Sequence, residues 1–313
     1  MRADVLLTPQ RKASLESERA PRFVDGPHLD DANPLDRQRD RIPSIWHSRR
    51  VSGEVEPRRS LSERLLQAGI VPDTDPVRTW IRLHEVEGRH ATVIDLYRLV
   101  SEPRGLEPHE LPLDERKRLS RAIALMFWTG FQVTEGSERF DPITLAEYDK
   151  EWPARFASWR DLISDSLEGA ALRIDRVGST SVPGLAAKPI VDVQVSVADL
   201  TDEQAYVPQL ERLGVQLRSR DDLHRFFRPV CGAAKRRTRP RVPSEFAWER
   251  EHLLFRDYLC VNRAASQAYV KAKREAARIW SDDGWAYTDA KSEVILKFLD
   301  EAERWALDRD WRP

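Results

Sequence analysis

Cysteine is scarce in this chain of 313 residues, which contains only Cys231 and Cys260. Two cysteines cannot build a disulfide framework, and no Cys-x-x-Cys motif or Cys/His cluster offers a zinc site. Long apolar runs are missing too, since the longest, Ala122–Trp128, has seven residues and a bilayer-spanning helix needs about 20. The N-terminal residues lack the apolar core of a signal peptide. We therefore expect a cytoplasmic protein without a membrane partner.

The chain has almost no excess charge of either sign. Lys plus Arg total 51 and Asp plus Glu total 52, so the formal net charge is −1. This balance disfavours nucleic-acid binding through bulk charge. One local segment, Lys235–Arg241, holds five cationic residues in seven. It fits a nucleic-acid patch or, as we favour, a solvated loop.

Composition and periodicity divide the chain into three parts. Residues 1–59 contain six prolines, mixed charges and only two aromatic residues, which predicts a disordered tail. Residues 60–135 are predicted to form a small helix-rich module of unknown role, with a strand at Val77–Val86 and a helix at Leu113–Trp128. Residues 141–308 alternate strand and helix patterns, which is typical of an α/β or α+β domain.

The strongest chemical signal in the third part is a turn followed by a strand. The predicted strand Pro189–Val197 carries valines on one face and polar residues, including Asp192, on the other. Upstream, Gly178–Ser181 (GSTS) directly follows another predicted strand, Leu172–Val177. Backbone N–H groups in such a turn can bind phosphate oxygens. A carboxylate fixed nearby on a rigid strand can hold Mg²⁺ against a nucleoside triphosphate.

These patterns define a set of candidate site residues. They are Gly178, Ser179, Thr180, Ser181 and Lys188 for nucleotide or phosphate binding, Asp192 as the catalytic residue and metal ligand, and Gln194 at a second metal-ligand position. Gln194 is an amide where a two-carboxylate site would have an acid. The alternative for Gly178–Ser181 is an ordinary strand-to-helix turn without a ligand. For Asp192 it is a surface carboxylate, and for Lys188 a solvated lysine.

The segment Arg176–Asp192, RVGSTSVPGLAAKPIVD, resembles the signature of the GrpB family, a branch of the nucleotidyltransferase superfamily. Further matches are the opening helix of the domain, Tyr148–Phe156, and its first closing helix, His252–Leu259. The last two predicted helices each match through one tyrosine–lysine pair, Tyr269 with Lys273 and Tyr287 with Lys291. Each pair is spaced i,i+4 and shares one helix face. We favour helix packing slightly over substrate contact for these pairs. The resemblance covers about residues 141–307.

The resemblance implies an α/β (α+β) fold, with a nucleotidyltransferase-like mixed sheet and a helical C-terminal cap. It implies Mg²⁺-dependent transfer of a nucleotidyl group from a nucleoside triphosphate to an unknown acceptor. Gly178 and Ser179 would contact the triphosphate, and Asp192 would bind the metal. The alternative is a non-catalytic nucleotide-binding or chaperone-like accessory module, which the amide at Gln194 favours.

The chain departs from the family between Pro229 and Pro243. Members of the family usually have a His-x-His strand in this region, whereas this chain has no histidine there, and Pro240 and Pro243 oppose a strand. Codons for the segment Thr238–Pro243, read one base later, can encode His-Val-His-Val-Cys. We therefore infer a local frame excursion and predict a loop.

Overall fold

The computed structural model describes residues 3–9, 59–127, 142–220, 225–229 and 247–313. These residues form a mixed five-stranded sheet with helices, and a group of N-terminal helices packs against the C-terminal ones. The α+β class expected from the order of the elements is therefore confirmed.

The strands come from distant parts of the chain. They are β1 (Ala3–Pro9), β2 (Ala171–Val177), β3 (Val191–Val197), β4 (Val215–Arg220) and β5 (Arg225–Pro229). Their order in the sheet is β2-β3-β1-β5-β4. β1 runs parallel to β3, and the other neighbouring pairs are antiparallel.

Most of the predicted helices are present, with ends shifted by a few residues. The helices in the described residues are α1 (Leu61–Gln67), α2 (Pro76–Glu87), α3 (Val93–Ser101), α4 (Leu113–Phe127), α5 (Trp152–Leu167), α6 (Val207–Arg212), α7 (Ala247–Val261), α8 (Arg263–Ile279), α9 (Gly284–Asp289) and α10 (Ser292–Asp308). The residue pattern from Trp285 to Ala306 predicts one continuous helix, but the structure has two, because the helix ends at Asp289 and a new one begins at Ser292. None of the helices described is both long and apolar enough to span a bilayer.

The N-terminus differs most from the prediction. Residues 3–9 belong to the segment predicted as a disordered tail, yet they form β1 in the middle of the sheet. The prediction is wrong for these residues because the prolines and charges of the whole segment masked a short apolar run, Val5–Leu7, which pairs with both β3 and β5. Residues 10–58 lie outside the described part of the chain, as do residues 230–243 of the predicted loop, whose first residue, Pro229, is the last residue of β5.

The segment Val77–Val86 was predicted as a strand and is helical instead, within α2. Asp75 caps this helix by accepting a hydrogen bond from a backbone N–H of the first turn, and Pro76 occupies the first helical position. The buried side chains of Trp80 and Leu83 are three residues apart, which suits a helix face. The cap and this spacing outweigh the short alternation from which the strand was predicted.

The two faces of β3 meet different surroundings. One face contributes to a core shared with α5 and α6, made by Val191, Val193, Val195, Val197, Trp152, Ile163 and Leu210. Burying a valine side chain completely contributes about 1.5–3 kcal/mol, so this face anchors the strand. The other face carries Asp192, Gln194 and Ser196. The Ser196 hydroxyl donates a hydrogen bond to Glu249 of α7, so α7 lies against the polar face.

The N-terminal helices do not close a core by themselves. A single cluster joins them to the C-terminal helices through Trp80, Leu83, Leu96 and Tyr97 on one side and Ala276, Trp280, Ala286 and Tyr287 on the other. The boundary predicted between a module at 60–135 and a domain at 141–308 stays a prediction. Across it, the described residues share one apolar core.

Candidate functional site

The turn after β2 has a backbone that only glycine adopts readily. Gly178 has φ 72° and ψ −173°, a region that is strained for any residue with a Cβ atom. A short 3₁₀ turn, Ser179–Ser181, follows it. The carbonyl oxygen of Gly178 accepts hydrogen bonds from the backbone N–H and the hydroxyl of Ser181. The Ser181 hydroxyl therefore closes the turn.

The missing side chain of Gly178 makes room for the carboxylate of Asp192. A Cβ atom placed on Gly178 would lie 2.1 Å from Oδ2 of Asp192 and 2.9 Å from its Cγ. The turn and the acidic residue, predicted from separate parts of the motif, are thus in direct contact. Both residues are partly exposed, as are Ser179 and Lys188, so a ligand can reach them from solvent.

Helix α8 closes the site from the side of the C-terminal cap. Tyr269 is buried and shares a hydrogen bond with the side chain of Ser179. Burial raises the pKa of Tyr269 to about 12, and the nearby charge of Asp192 acts in the same direction while the bond to Ser179 opposes it. The hydroxyl of Tyr269 therefore stays neutral at ordinary pH and can orient Ser179.

Lys273, one helical turn further along α8, is a buried amine at the site. Its side chain is 2% exposed, and Nζ donates a hydrogen bond to the carbonyl oxygen of Ala186 at 2.7 Å. Burial lowers its pKa to about 7; the charge of Lys188 adds to this shift, and that of Asp192 opposes it. Lys273 therefore changes its charge near neutral pH.

Two more lysines each contact the aromatic ring of Tyr287. The Nζ atoms of Lys188 and Lys291 each lie 4.0 Å from the ring centroid, a distance typical of cation–π contacts. Burial raises the pKa of the Tyr287 hydroxyl, so the ring remains neutral. Lys273 interacts electrostatically with both Lys188 and Asp192, so cationic amines lie near the carboxylate and favour an anionic ligand.

Three of the predicted residues lie deeper than expected. Thr180 and Ser181 are buried, and the Thr180 hydroxyl has no hydrogen-bond partner among the described residues. Gln194 is fully buried, and neither its Oε1 nor its Nε2 has a partner in the same part of the chain. The partly exposed predicted residues are Gly178, Ser179, Lys188 and Asp192.

The side chains present fit a hard cation only in part. Among the described residues there is no group of three or more His, Cys, Asp or Glu side chains that could hold a metal ion. Asp192 lies in the space left open by Gly178, beside a turn suited to phosphate oxygens. Because Mg²⁺ is bound by one or two carboxylates together with waters and substrate phosphates, Asp192 is suited to hold it jointly with a nucleotide.

The cap contributes more to the site than the sequence predicts. For Tyr269, Lys273, Tyr287 and Lys291, helix packing was favoured slightly over substrate contact. They do pack, but both lysines also lie near Lys188 or Asp192. The available signal was the i,i+4 spacing of each tyrosine and lysine. Tyr269 and Lys273 share α8 as predicted, whereas Lys291 lies at the N-cap of α10 and not in the helix that carries Tyr287.

Similar proteins match the C-terminal part of the chain. The family model described as GrpB protein matches residues 142–301. The chain is 38% identical over 163 residues to a UPF0157 protein of Halalkalibacterium halodurans, which covers 51% of this chain and 82% of that protein. It is 38% identical over 181 residues to a UPF0157 protein of Streptomyces coelicolor, over 56% of this chain and 91% of that protein.

A solved structure matches the same part. The crystal structure of conserved protein GrpB from Enterococcus faecalis is 29% identical, with a TM-score of 0.46, over 52% of this chain and 99% of that chain. The family model spans about half of the chain, including the Gly178 turn, Asp192, α8 and α9. This chain therefore belongs to the GrpB family.

Proposed function

We propose that this protein binds a nucleoside triphosphate together with Mg²⁺ and transfers its nucleotidyl group to an acceptor hydroxyl or phosphate. The observation that carries the proposal is the contact between Gly178 and the Asp192 carboxylate, with the amine of Lys273 close enough to interact with the charges of both Asp192 and Lys188. A carboxylate can hold the cation, and the amines can neutralise phosphate oxygens.

The residues of this chain have distinct roles in the proposal. The backbone after Gly178 binds phosphate oxygens, and Tyr269 orients the Ser179 hydroxyl beside them. Lys188 and Lys291, held on Tyr287, offset phosphate charge. Lys273, with a pKa of about 7, carries more charge once an anion lies nearby.

The transfer is an in-line displacement at phosphorus. An acceptor oxygen forms a bond to the α-phosphorus, the bond to the bridging oxygen of the β-phosphate breaks, pyrophosphate leaves, and a hydroxyl acceptor gives its proton to water. When bound, Mg²⁺ supplies charge neutralisation at the phosphates. Positioning and charge neutralisation supply most of the rate in such reactions.

A second candidate is nucleotide binding without catalysis. The amide of Gln194 favours it, because it stands two residues after Asp192, where a second carboxylate would bind a second ion. The two candidates share the binding step and differ in pyrophosphate release.

The test is a panel of four nucleoside triphosphates, scored by thermal shift with and without Mg²⁺, on the wild type and Asp192→Asn. A ligand at a hundredfold excess over its Kd stabilises the native state by about 2.7 kcal/mol. Asp192→Asn should weaken the Mg²⁺-dependent part of binding by roughly one to two decades in Kd, since a charge-assisted contact contributes about 1.5–3 kcal/mol.

The matched control is Asp165→Asn, which removes the same charge from an exposed position on α5, on the far side of the sheet. It should bind like the wild type. Unchanged Mg²⁺-dependent binding in Asp192→Asn would refute the proposal. If binding requires Asp192 but no acceptor mixture yields pyrophosphate, the binding module is favoured.

A further inference from the structure

A cleft of about 600 Å³ lies on the exposed side of α8. Residues of α8 form one wall, and Glu147, Gly184 and Ala186 lie opposite them. Its volume is within the range of about 300–1,000 Å³ that is typical of small-molecule sites. Gly178 and Asp192, on which the proposed function depends, are not among the residues that line it. The cleft is therefore a separate feature of the described structure.

Hydrogen bonds hold the walls of the cleft in place. Ala146 and Ala187 form an antiparallel bridge, in which each backbone N–H donates to the carbonyl oxygen of the other residue, at 2.8 and 2.9 Å. This bridge joins the two chain segments that lie opposite α8. The buried Nζ of Lys273 donates to the carbonyl oxygen of Ala186 and links the same wall to α8. The cleft is thus preformed, as small-molecule sites usually are.

Three cationic side chains of α8 line the cleft, from Lys271, Arg274 and Arg278. They are three and four residues apart, so they share one face of the helix. Arg274 pairs with Glu147, and Arg278 pairs with Glu275. All four side chains in these two pairs are more than half exposed. Because exposed ion pairs contribute little to stability, an anionic ligand can replace the carboxylates.

The rest of the cleft is neutral and partly apolar. Val270, Ala186 and Gly184 contribute apolar surface, and Ser266 and Gln267 contribute hydrogen-bonding groups. A Cβ atom placed on Gly184 would meet nothing within 4 Å, so the cleft is open at this residue. A ligand that combines a charged group with an apolar body fits this lining better than a bare ion does.

We propose that this cleft is a second ligand site, which binds a small organic phosphate. The guanidinium groups of Arg274 and Arg278 bind the phosphate oxygens, since arginine offers two parallel N–H donors to such groups. Lys271 adds charge, and the organic part of the ligand packs against Val270 and Ala186. The inference goes beyond the proposed function and does not rest on it, because other residues form the cleft.

The experiment measures the binding of phenyl phosphate to the full chain by isothermal titration calorimetry. Benzoate keeps the ring with a single negative charge, and inorganic phosphate keeps the charge without the ring. The test variants are Arg274→Gln, Arg278→Gln and Gln267→Trp. The control Arg263→Gln removes an exposed cation from α8 outside the cleft, and Lys188→Gln removes one from the candidate nucleotide site.

Phenyl phosphate should bind the wild type more tightly than benzoate or inorganic phosphate. Arg274→Gln and Arg278→Gln should each weaken its binding by roughly ten- to a hundredfold, because each removes charge-assisted hydrogen bonds. Gln267→Trp should weaken binding by filling the cleft, whereas Arg263→Gln and Lys188→Gln should match the wild type. The α8 variants should melt at the wild-type temperature, because the substituted residues are exposed.

Three results would overturn the inference. If the wild type binds no phenyl phosphate at millimolar concentration, the cleft is not an anion site. If Lys188→Gln loses binding and Arg274→Gln does not, the probe occupies the nucleotide site instead. If Arg263→Gln weakens binding as much as Arg274→Gln does, the probe responds to the general charge of α8 and not to the cleft.

A parallel titration with nucleoside triphosphate and Mg²⁺ separates this inference from the proposed function. If phenyl phosphate binds through Arg274 and Arg278 but no Mg²⁺-dependent nucleotide binding occurs, the cleft is supported and the proposed function fails. If nucleotide binds but phenyl phosphate does not, the proposed function stands and the inference is wrong.

Discussion

The site can form only because Gly178 has no side chain. Both its backbone conformation and the contact with Asp192 exclude a Cβ atom. We expect Gly178→Ala to cost about 1–3 kcal/mol in backbone strain, with the displacement of the carboxylate in addition. Mg²⁺-dependent nucleotide binding should be lost with it, as measured by thermal shift.

Gly184 provides the control for this substitution. It also has a positive φ, of 76°, but a Cβ atom there would meet nothing within 4 Å. Gly184→Ala should therefore cost about 1–2 kcal/mol from its backbone alone and keep nucleotide binding. If both variants lost nucleotide binding equally, the loss in Gly178→Ala would come from lower stability of the fold and not from displacement of the Asp192 carboxylate.

The buried amine of Lys273 should make the stability of the protein depend on pH. In the folded state its pKa is about 7, against 10.5 in an exposed lysine. Between these values the unfolded chain binds more protons than the folded one, so the free energy of unfolding rises with pH. The slope from this residue is at most about 1.4 kcal/mol per pH unit. Below about pH 7 Lys273 is charged in both states, so the full cost of burying its charge lowers the free energy of unfolding.

Urea denaturation at pH 7.5 and 9.5 measures this slope. Lys273→Met cannot carry the charge and should show a smaller rise in stability between the two values. Lys271→Met removes an exposed lysine from the same helix and should keep the wild-type slope. A wild-type slope in Lys273→Met would mean that Lys273 remains charged in the folded protein.

At the scale of elements, periodicity predicted the strand β3 and failed on the strand β1 and the helix α2. The valine alternation of β3 was read correctly, because four buried residues of one type leave little ambiguity. The strand β1 was missed because its apolar residues are few and its pairing partners β3 and β5 are about 190 and about 220 residues away along the chain. Only tertiary contacts reveal such a strand.

The same distinction holds for the site: the residues that lie close together along the chain were predicted, and those contributed by distant elements were not. The turn at Gly178 and the carboxylate at Asp192 lie in one short motif, and the structure brings them into contact as expected. Lys273 lies in α8 and Lys291 at the N-cap of α10, and the placement of both depends on how the cap packs on the sheet. The sequence names these residues but does not show that Lys273 lies near Asp192 or that Lys291 shares an aromatic ring with Lys188.

At the scale of the whole molecule, hydrogen bonds of Asp283 connect the N-terminal helices to the candidate site. This residue caps α9, with Oδ1 accepting from two backbone N–H groups, while Oδ2 accepts from the hydroxyl of Tyr97 and from Arg116. Helix α9 carries Tyr287, the ring on which Lys188 and Lys291 lie. The N-terminal helices therefore hold the helix that positions two of the three lysines.

Removing Arg116 tests this connection. Its side chain is 4% exposed and pairs with Asp283, which is 5% exposed, and with Asp282. Breaking a buried pair from one side costs about 3–5 kcal/mol. We expect the lower end for Arg116→Leu, because Asp283 keeps its other donors. Urea denaturation should give this loss in a single transition, since the N-terminal and C-terminal helices share one apolar core.

The matched control is Arg104→Leu, which breaks the pair of Arg104, 48% exposed, with Glu115. An exposed pair contributes about 0–1 kcal/mol, so this variant should unfold like the wild type and bind nucleotide equally well. Arg116→Leu should bind nucleotide more weakly under conditions where it is still folded, because α9 then loses a contact that fixes its first turn. Two separate unfolding transitions, or wild-type affinity in folded Arg116→Leu, would mean that the N-terminal helices are bound to the family domain without positioning its site.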